Sequence, residues 1–339
     1  MMYFALGATL ALAAFLLLNA FFCLGAHLLV PLVRKTASLR PRAALFFLLR
    51  IFPACTAILC TFLLVIPSYL SLEPRGTAER MGWLLPLLAA LSAWVLAAAW
   101  FGALASWRRS RLILRDWLRR SEAISLPGVS IPAYRLQEAF PVVAVIGAFR
   151  PRLFVSGQVL DALNAEEFAA AIQHEMGHLD AHDNLRRWLA RLCPPGLPFL
   201  PGARGLAQLW HAASEESADN YAVREGKATP LDLASALIKV SRMVPVRRPM
   251  AIPAGAYLLE QQDLPHIARR VHALLEKTEG IENAQSMNRT SSDRASTSRR
   301  RRIALVGVSA SAMLLLAVSY PSLLLGVHEA LEKFLHLVS

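Results

Sequence analysis

Four stretches without a single Asp, Glu, Lys or Arg limit what this chain can fold into: Met1 to Val33, Ile51 to Leu72, Met81 to Trp107 and Ile303 to Val327. Each exceeds the roughly 20 residues that a helix needs to cross a bilayer, and buried helices of water-soluble proteins seldom run so far without a charge. With 55% of its 339 residues hydrophobic, the chain reads as an integral membrane protein with four spans, not as a pair of soluble domains. The first stretch has no Lys or Arg ahead of it and outlasts the apolar part of a signal peptide, so it is expected to be kept as a span.

The net charge of +12 sits beside these stretches. Arg34, Lys35, Arg40, Arg42 and Arg50 lie between the first and second. Arg108, Arg109, Arg111, Arg115, Arg119 and Arg120 follow the third, and Arg299 to Arg302 precede the fourth. Basic residues collect at the cytoplasmic ends of spans, where they escape translocation and meet anionic lipid. Glu73, Arg75, Glu79 and Arg80 make the intervening loop neutral. The pattern predicts both termini outside and the region from Arg108 to Arg302 in the cytoplasm. It gives no reason to expect nucleic acid as a partner. Cys23, Cys55 and Cys60 lie inside spans and Cys193 stands alone, so neither a disulfide framework nor a thiolate metal site is expected.

Within the cytoplasmic region, Pro141 to Ile146 and Phe149 to Ser156 flank Gly147 and predict a β-hairpin. Its exposed edge could take an extended peptide as an added strand. Asn164 followed by Glu167 has the spacing of a capping box and should open a helix. Further helices are expected over Leu185 to Leu192, about Gly205 to Val223, Leu231 to Met243 behind Thr229-Pro230, and Leu264 to Lys277. The Pro- and Gly-rich segment Cys193 to Leu206 is expected to be a loop touching the membrane, and Thr278 to Ser298 a flexible polar linker.

The helix opened by Asn164 carries His174-Glu175-Met176-Gly177-His178. Residues i and i+4 share a helical face, so both imidazoles can reach one ion, while Glu175 can reach a water beside it without being a ligand. A catalytic zinc needs a third protein ligand and an open position. The helix that follows offers Ser214-Glu215-Glu216-Ser217-Ala218-Asp219. Glu215 is the expected third ligand. Asp219, one turn on, is expected to accept a hydrogen bond from a ligand imidazole. Glu216 points about 100° away from Glu215 and should not face the ion. His211, one turn before Glu215, is a candidate catalytic residue as an oxyanion donor; His182 and Tyr221 are further candidates.

These motifs, with Asp183 five residues past His178, with Gly147-Ala-Phe-Arg-Pro-Arg-Leu-Phe-Val155 upstream and with His182-Asp-Asn-Leu185 downstream, resemble the gluzincin metallopeptidases. The chain is most similar to the membrane metallopeptidases of the β-lactam sensor-transducer (antirepressor) type. The resemblance implies a mainly α fold with four transmembrane helices (about 1–33, 51–72, 81–107 and 303–327). It also implies a cytoplasmic α+β zinc peptidase domain over 108–277, a linker over 278–302 and a short external tail over 328–339. It further implies Zn²⁺ as cofactor, a bacterial-type inner membrane as location and a transcription repressor, or the chain itself between Thr278 and Arg302, as protein substrate. Homo-oligomers are compatible with this reading. The sensor proteins carry a penicillin-binding domain after the fourth span, whereas only His328 to Ser339 follow it here, so β-lactam sensing is not expected. Two other readings stay open at this point: a quality-control protease of membrane proteins, and a non-catalytic signalling protein with a structural metal site.

Reporter fusions after Glu73, at Gly280 and after Ser339 should read outside, cytoplasmic and outside, respectively. An outside signal at Gly280 would overturn the expected topology.

Overall fold

A computed structural model describes residues 2–36, 39–74, 82–137, 141–194, 203–224, 228–243, 264–285 and 319–335. Two long helices open the chain, α1 (Met2–Arg34) and α2 (Leu39–Cys60). A short π-helical segment (Thr61–Val65) carries α2 on into α3 (Ile66–Leu72), and α4 (Leu84–Arg119) follows. Three runs here are long and apolar enough to cross a membrane, Tyr3–Arg34, Pro41–Leu72 and Leu84–Arg119, each holding an 18-residue stretch of mean hydropathy 2.1, 2.2 and 2.0, respectively. Large side chains such as Phe21, Leu28, Phe62, Trp94 and Phe101 are exposed along them, as lipid-facing residues must be. The fourth expected span lies outside the described residues up to residue 318. Residues 319–335, here α11, are helical and continue past Val327 into what was expected to be a tail.

Helices α2 and α4 run past the charge-free stretches expected to span and take in the flanking arginines. Arg42 and Arg50 belong to α2, and Arg108 to Arg119 belong to α4. Arg42 pairs with Glu216, and Arg50 donates to Ala190 O (2.9 Å) and Cys193 O (2.7 Å), the free carbonyls at a helix end. The Arg111 guanidinium lies over the Trp107 ring, 4.4 Å from its centroid. The spans therefore run on as rods into the domain they carry.

That domain is built on a four-stranded sheet of order β1-β2-β4-β3, with β1 Ser121–Ile124, β2 Ala133–Leu136, β3 Val143–Ile146 and β4 Arg152–Ser156. The expected hairpin is present as the antiparallel β3–β4 pair, with Val145 opposite Leu153. Strands β1 and β2 were not expected. They are only four residues long and carry Glu122 and Arg135, so they show little alternation. Strand β3 is buried on both faces because the sheet is covered twice. Val143, Val145, Leu153 and Val155 enter the main core; Val142, Ala144, Ile146 and Phe154 meet the inner end of α4, with Trp117 edge-on to Phe154 at 5.4 Å.

The helices follow as α5 (Gly157–Ala162), α6 (Ala165–Asp180), α7 (Asp183–Leu192), α8 (Ala203–Arg224), α9 (Pro230–Met243) and α10 (Leu264–Gln285). Asn164 and Glu167 form the capping box of α6 in both directions, and Asp232 N donates to Thr229 Oγ1 at the start of α9. Helix α10 runs to Gln285, so the first part of the segment expected to be a flexible linker is helical. Thr278 Oγ1 there donates to Leu274 O, which lets a polar residue serve the helix. Residues 286–302 lie outside the described residues. Of the expected membrane-touching loop Cys193 to Leu206, residues 193–194 and 203–206 are described: the latter are not loop but the first turn of α8, and Asn19 Nδ2 donates to Pro194 O (3.3 Å) from within α1.

Helices α6 and α8 touch where both are small. A Cβ on Gly177 would meet Ala218 Cα at 3.0 Å and Tyr221 Cβ at 3.1 Å. Gly177→Val should therefore overpack this crossing, at a cost of about 1–3 kcal/mol. Thermal unfolding of the detergent-solubilised chain should show a Tm lowered by several degrees. An unchanged Tm would contradict the contact.

Candidate metal centre

Helix α6 presents His174 and His178 from successive turns, with ring centroids 4.8 Å apart and planes at 88°. Helix α8 crosses over Gly177 and brings Glu215 between them. Glu215 Oε2 lies 3.6 Å from His174 Nε2, and Oε1 lies 3.4 Å from His178 Nε2. These three residues form a possible metal site, with one ligand atom from each within 4.8 Å of the others.

Each imidazole is held from behind by an aspartate. Asp219 Oδ1 lies 2.9 Å from His174 Nδ1, and Asp183 Oδ2 lies 2.7 Å from His178 Nδ1. The His178 contact is a hydrogen bond, and a carboxylate only accepts, so Nδ1 of that ring keeps a proton and Nε2 is the nitrogen left for the centre. Both ring nitrogens of His174 are buried and make no hydrogen bond, although Nδ1 faces Asp219 and Nε2 faces Glu215. A buried orphan nitrogen aimed at a carboxylate oxygen is what a metal-ligating position looks like before an ion is considered.

The expected assignments separate cleanly at this point. His174, His178, Glu215 and Asp219 come together as the spacings predict. Glu216 faces away and pairs with Arg42. Glu175 is 4% exposed and its Oε2 accepts from Val145 N (3.2 Å) on the edge strand β3. Asn184 Nδ2 donates to Val145 O (2.8 Å) on that same edge. The edge expected to take a peptide strand is thus occupied at Val145 by Glu175 and Asn184. His211 Nδ1 lies 3.9 Å from Glu215 Oε1 at the rim, on a cleft of about 440 Å³ that Arg270, Asp219, Leu39 and Lys277 also line. His182 is not brought to the centre: it sits at φ 55 ahead of α7, with Nδ1 3.1 Å from Asp180 O. Tyr221 packs its Cβ toward Gly177 at the helix crossing.

Two partners were not foreseen. Asp183 appears in the motif, yet nothing in the spacing says that it holds His178 while accepting from Ser214 Oγ on α8. Arg270, on α10, grips Asp219 with Nε (2.9 Å) and Nη2 (2.7 Å) and sets Nη1 3.0 Å from Glu215 Oε2. A signal for it existed. Ile267 and Leu274 pack into the core, and Arg270 stands three residues after one and four before the other, an arginine on the buried face of its helix.

The charges explain the protonation pattern. Burial alone would lower the His178 pKa, but Glu215 and Asp183 hold it up at about 10. Burial alone would raise Asp219, but Arg270 and then His174 hold it down at about 2. Glu215 likewise stays well below the usual carboxylate range through His178 and Arg270, against burial. Burial raises Glu175, with the nearby histidines opposing it. No protein-family model and no curated protein matches this chain.

The sign of the His178 shift gives a test. Without an ion, its raised folded pKa favours the fold below pH 6.5, and that contribution is lost as pH rises through about 10. A metal must displace this proton, so affinity should grow about tenfold per pH unit for each imidazole proton released. Zn²⁺ competition against a chromophoric chelator between pH 6.5 and 8.5 should show that slope. A pH-independent affinity would contradict the charged His178.

Proposed function

We propose that this chain is a membrane-embedded zinc metalloendopeptidase that cuts a cytoplasmic or membrane-adjacent protein. The observation that carries the reading is the convergence of His174, His178 and Glu215 with the buried carboxylate of Glu175 beside them. The donor set fits zinc. Ligands about 2.0–2.2 Å from a tetrahedral ion stand about 3.4 Å apart, and the two nitrogen-to-oxygen separations are 3.6 and 3.4 Å. Two imidazoles and one carboxylate, with none of the four cysteines in the group, is the composition of a catalytic site; structural zinc sites are usually closed with thiolates.

His174, His178 and Glu215 would hold the ion, which when bound supplies Lewis acidity toward a carbonyl and a water. Glu175 takes the proton of the attacking water and hands it to the leaving amine. Burial favours its protonated form, which strengthens it as the base that takes the water's proton. Val145 N fixes the Glu175 carboxylate. Asp219 and Asp183 keep the imidazoles aimed, and Arg270 keeps Asp219 charged. His211, whose Nδ1 lies 3.9 Å from Glu215 Oε1, is the proposed donor to the developing oxyanion.

The regulatory part of the reading rests on the resemblance to the antirepressor peptidases, with the catalytic domain cytoplasmic and both termini outside. One contact supports it: α2 continues from a candidate span onto α8, where Phe47 meets Trp210 at 5.7 Å and Arg42 meets Glu216, beside Glu215. A repressor, or the chain's own segment before the fourth span, is the proposed substrate. Since α10 runs to Gln285, self-cleavage is proposed after that residue, because a protease takes an extended segment.

Glu175→Gln should lower hydrolysis of a quenched-fluorescent peptide library by at least about 100-fold, with zinc content unchanged. A variant that cleaves at the wild-type rate would sink the proposal.

A further inference from the structure

A second group of metal-ligating side chains lies at the far end of the bundle. Glu73 closes α3, at the end of the Pro41–Leu72 run, and is only 8% exposed. His328 and Glu332 stand one turn apart on α11, with His328 Nε2 3.8 Å from Glu332 Oε1. One ligand atom from each of the three lies within 4.8 Å of the others. Nothing in the peptidase reading uses these residues.

The convergence is built by the packing, not by chance proximity of long side chains. Tyr320 OH donates to Leu63 O (2.6 Å), and Ser68 Oγ donates to Leu324 O (3.0 Å). Residues 320, 324 and 328 therefore follow one face of α11 along the chain from Leu63 through Ser68 to Glu73. Beyond them Leu331, Phe334 and Leu335 pack onto Leu6, Leu10, Tyr69 and Leu85, fixing the last turns. Glu73, His328 and Glu332 offer a cation two carboxylates and one imidazole that converge on one point. One imidazole among them favours a transition ion over Mg²⁺ or Ca²⁺, which prefer all-oxygen sites. The His328 and Glu332 side chains, 20% and 39% exposed, leave an open side through which an ion and its waters can enter.

We propose that Glu73, His328 and Glu332 bind a second divalent transition-metal ion of the zinc class, joining the last helix to the end of the second span. From Arg42 to Glu73 one nearly continuous helix covers about 45 Å at 1.5 Å per residue. The ion thus sits at the opposite end of the rod that meets α8 beside Glu215. The site stands independently of the peptidase reading.

Zinc content of the full chain, in detergent and after gel filtration from excess Zn²⁺, decides it. Wild type should retain two ions. His328→Ala with Glu332→Gln should retain one, as should His174→Ala with His178→Ala, each monodisperse with unchanged helical circular dichroism. Glu332→Gln alone, the mildest change, should weaken the second ion at least tenfold in chelator competition. If wild type holds one ion that is lost with His174 and His178 but not with His328 and Glu332, the second site is overturned and the first stands. If the only ion is lost with His328 and Glu332, the second site stands and the first falls. An unaltered count of two in the His328 and Glu332 variant also overturns the proposal.

Discussion

Everything at the metal group depends on how closely α8 lies against α6. Gly177 falls between His174 and His178, and Ala218 falls between Glu215 and Asp219, so the point of contact lies within both motifs. Two pairs of residues, each pair one turn apart, can interleave only if their helices nearly touch at the middle of both. A side chain at 177 would press on Ala218 and Tyr221, in the helix that carries Glu215. The glycine is therefore as much part of the site as the ligands, although it offers no chemistry.

The close crossing gathers more negative than positive charge. Glu175, Asp183, Glu215 and Asp219 are drawn together, all but Glu215 less than 5% exposed, against the guanidiniums of Arg270 and Arg186 and the two imidazoles. Buried charges persist only when paired. Arg270 answers Asp219 and Glu215, and His178 answers by holding its proton up to about 10. A centre that keeps a proton so tightly is one prepared for a cation. The network also ties four helices: α6 to α7 through His178 and Asp183, α7 to α8 through Ser214, α6 to α8 through His174 and Asp219, and α8 to α10 through Arg270. Helix α2 reaches this assembly from a candidate span through Arg42 and Phe47. Motion of that span relative to the domain would be felt first by α8.

The parts legible in the sequence were those with a strong period or a strong local rule. Three of the expected spans are apolar helices, the capping box at Asn164 formed, and the one-turn spacings of His174/His178 and Glu215/Asp219 chose the residues that meet. The helices run past the charge-free stretches, which mark where a chain can meet lipid and not where a helix ends. Arg42 and Arg50 find carboxylate and carbonyl partners and the helix continues. The two short strands β1 and β2 were missed because their pairing, not their composition, makes them strands. Arg270 and the backbone of Val145 reach the centre from distant parts of the chain, and such contacts leave only a faint trace, here an arginine on an apolar helical face.

Anomalous diffraction at the zinc edge from crystals of the zinc-loaded chain tests the central claim most directly. The account predicts a peak about 2.0–2.2 Å from His174 Nε2, His178 Nε2 and a Glu215 carboxylate oxygen, with Asp219 and Asp183 still on the Nδ1 atoms. No anomalous peak between those three side chains, or an ion there held by other residues, would contradict it.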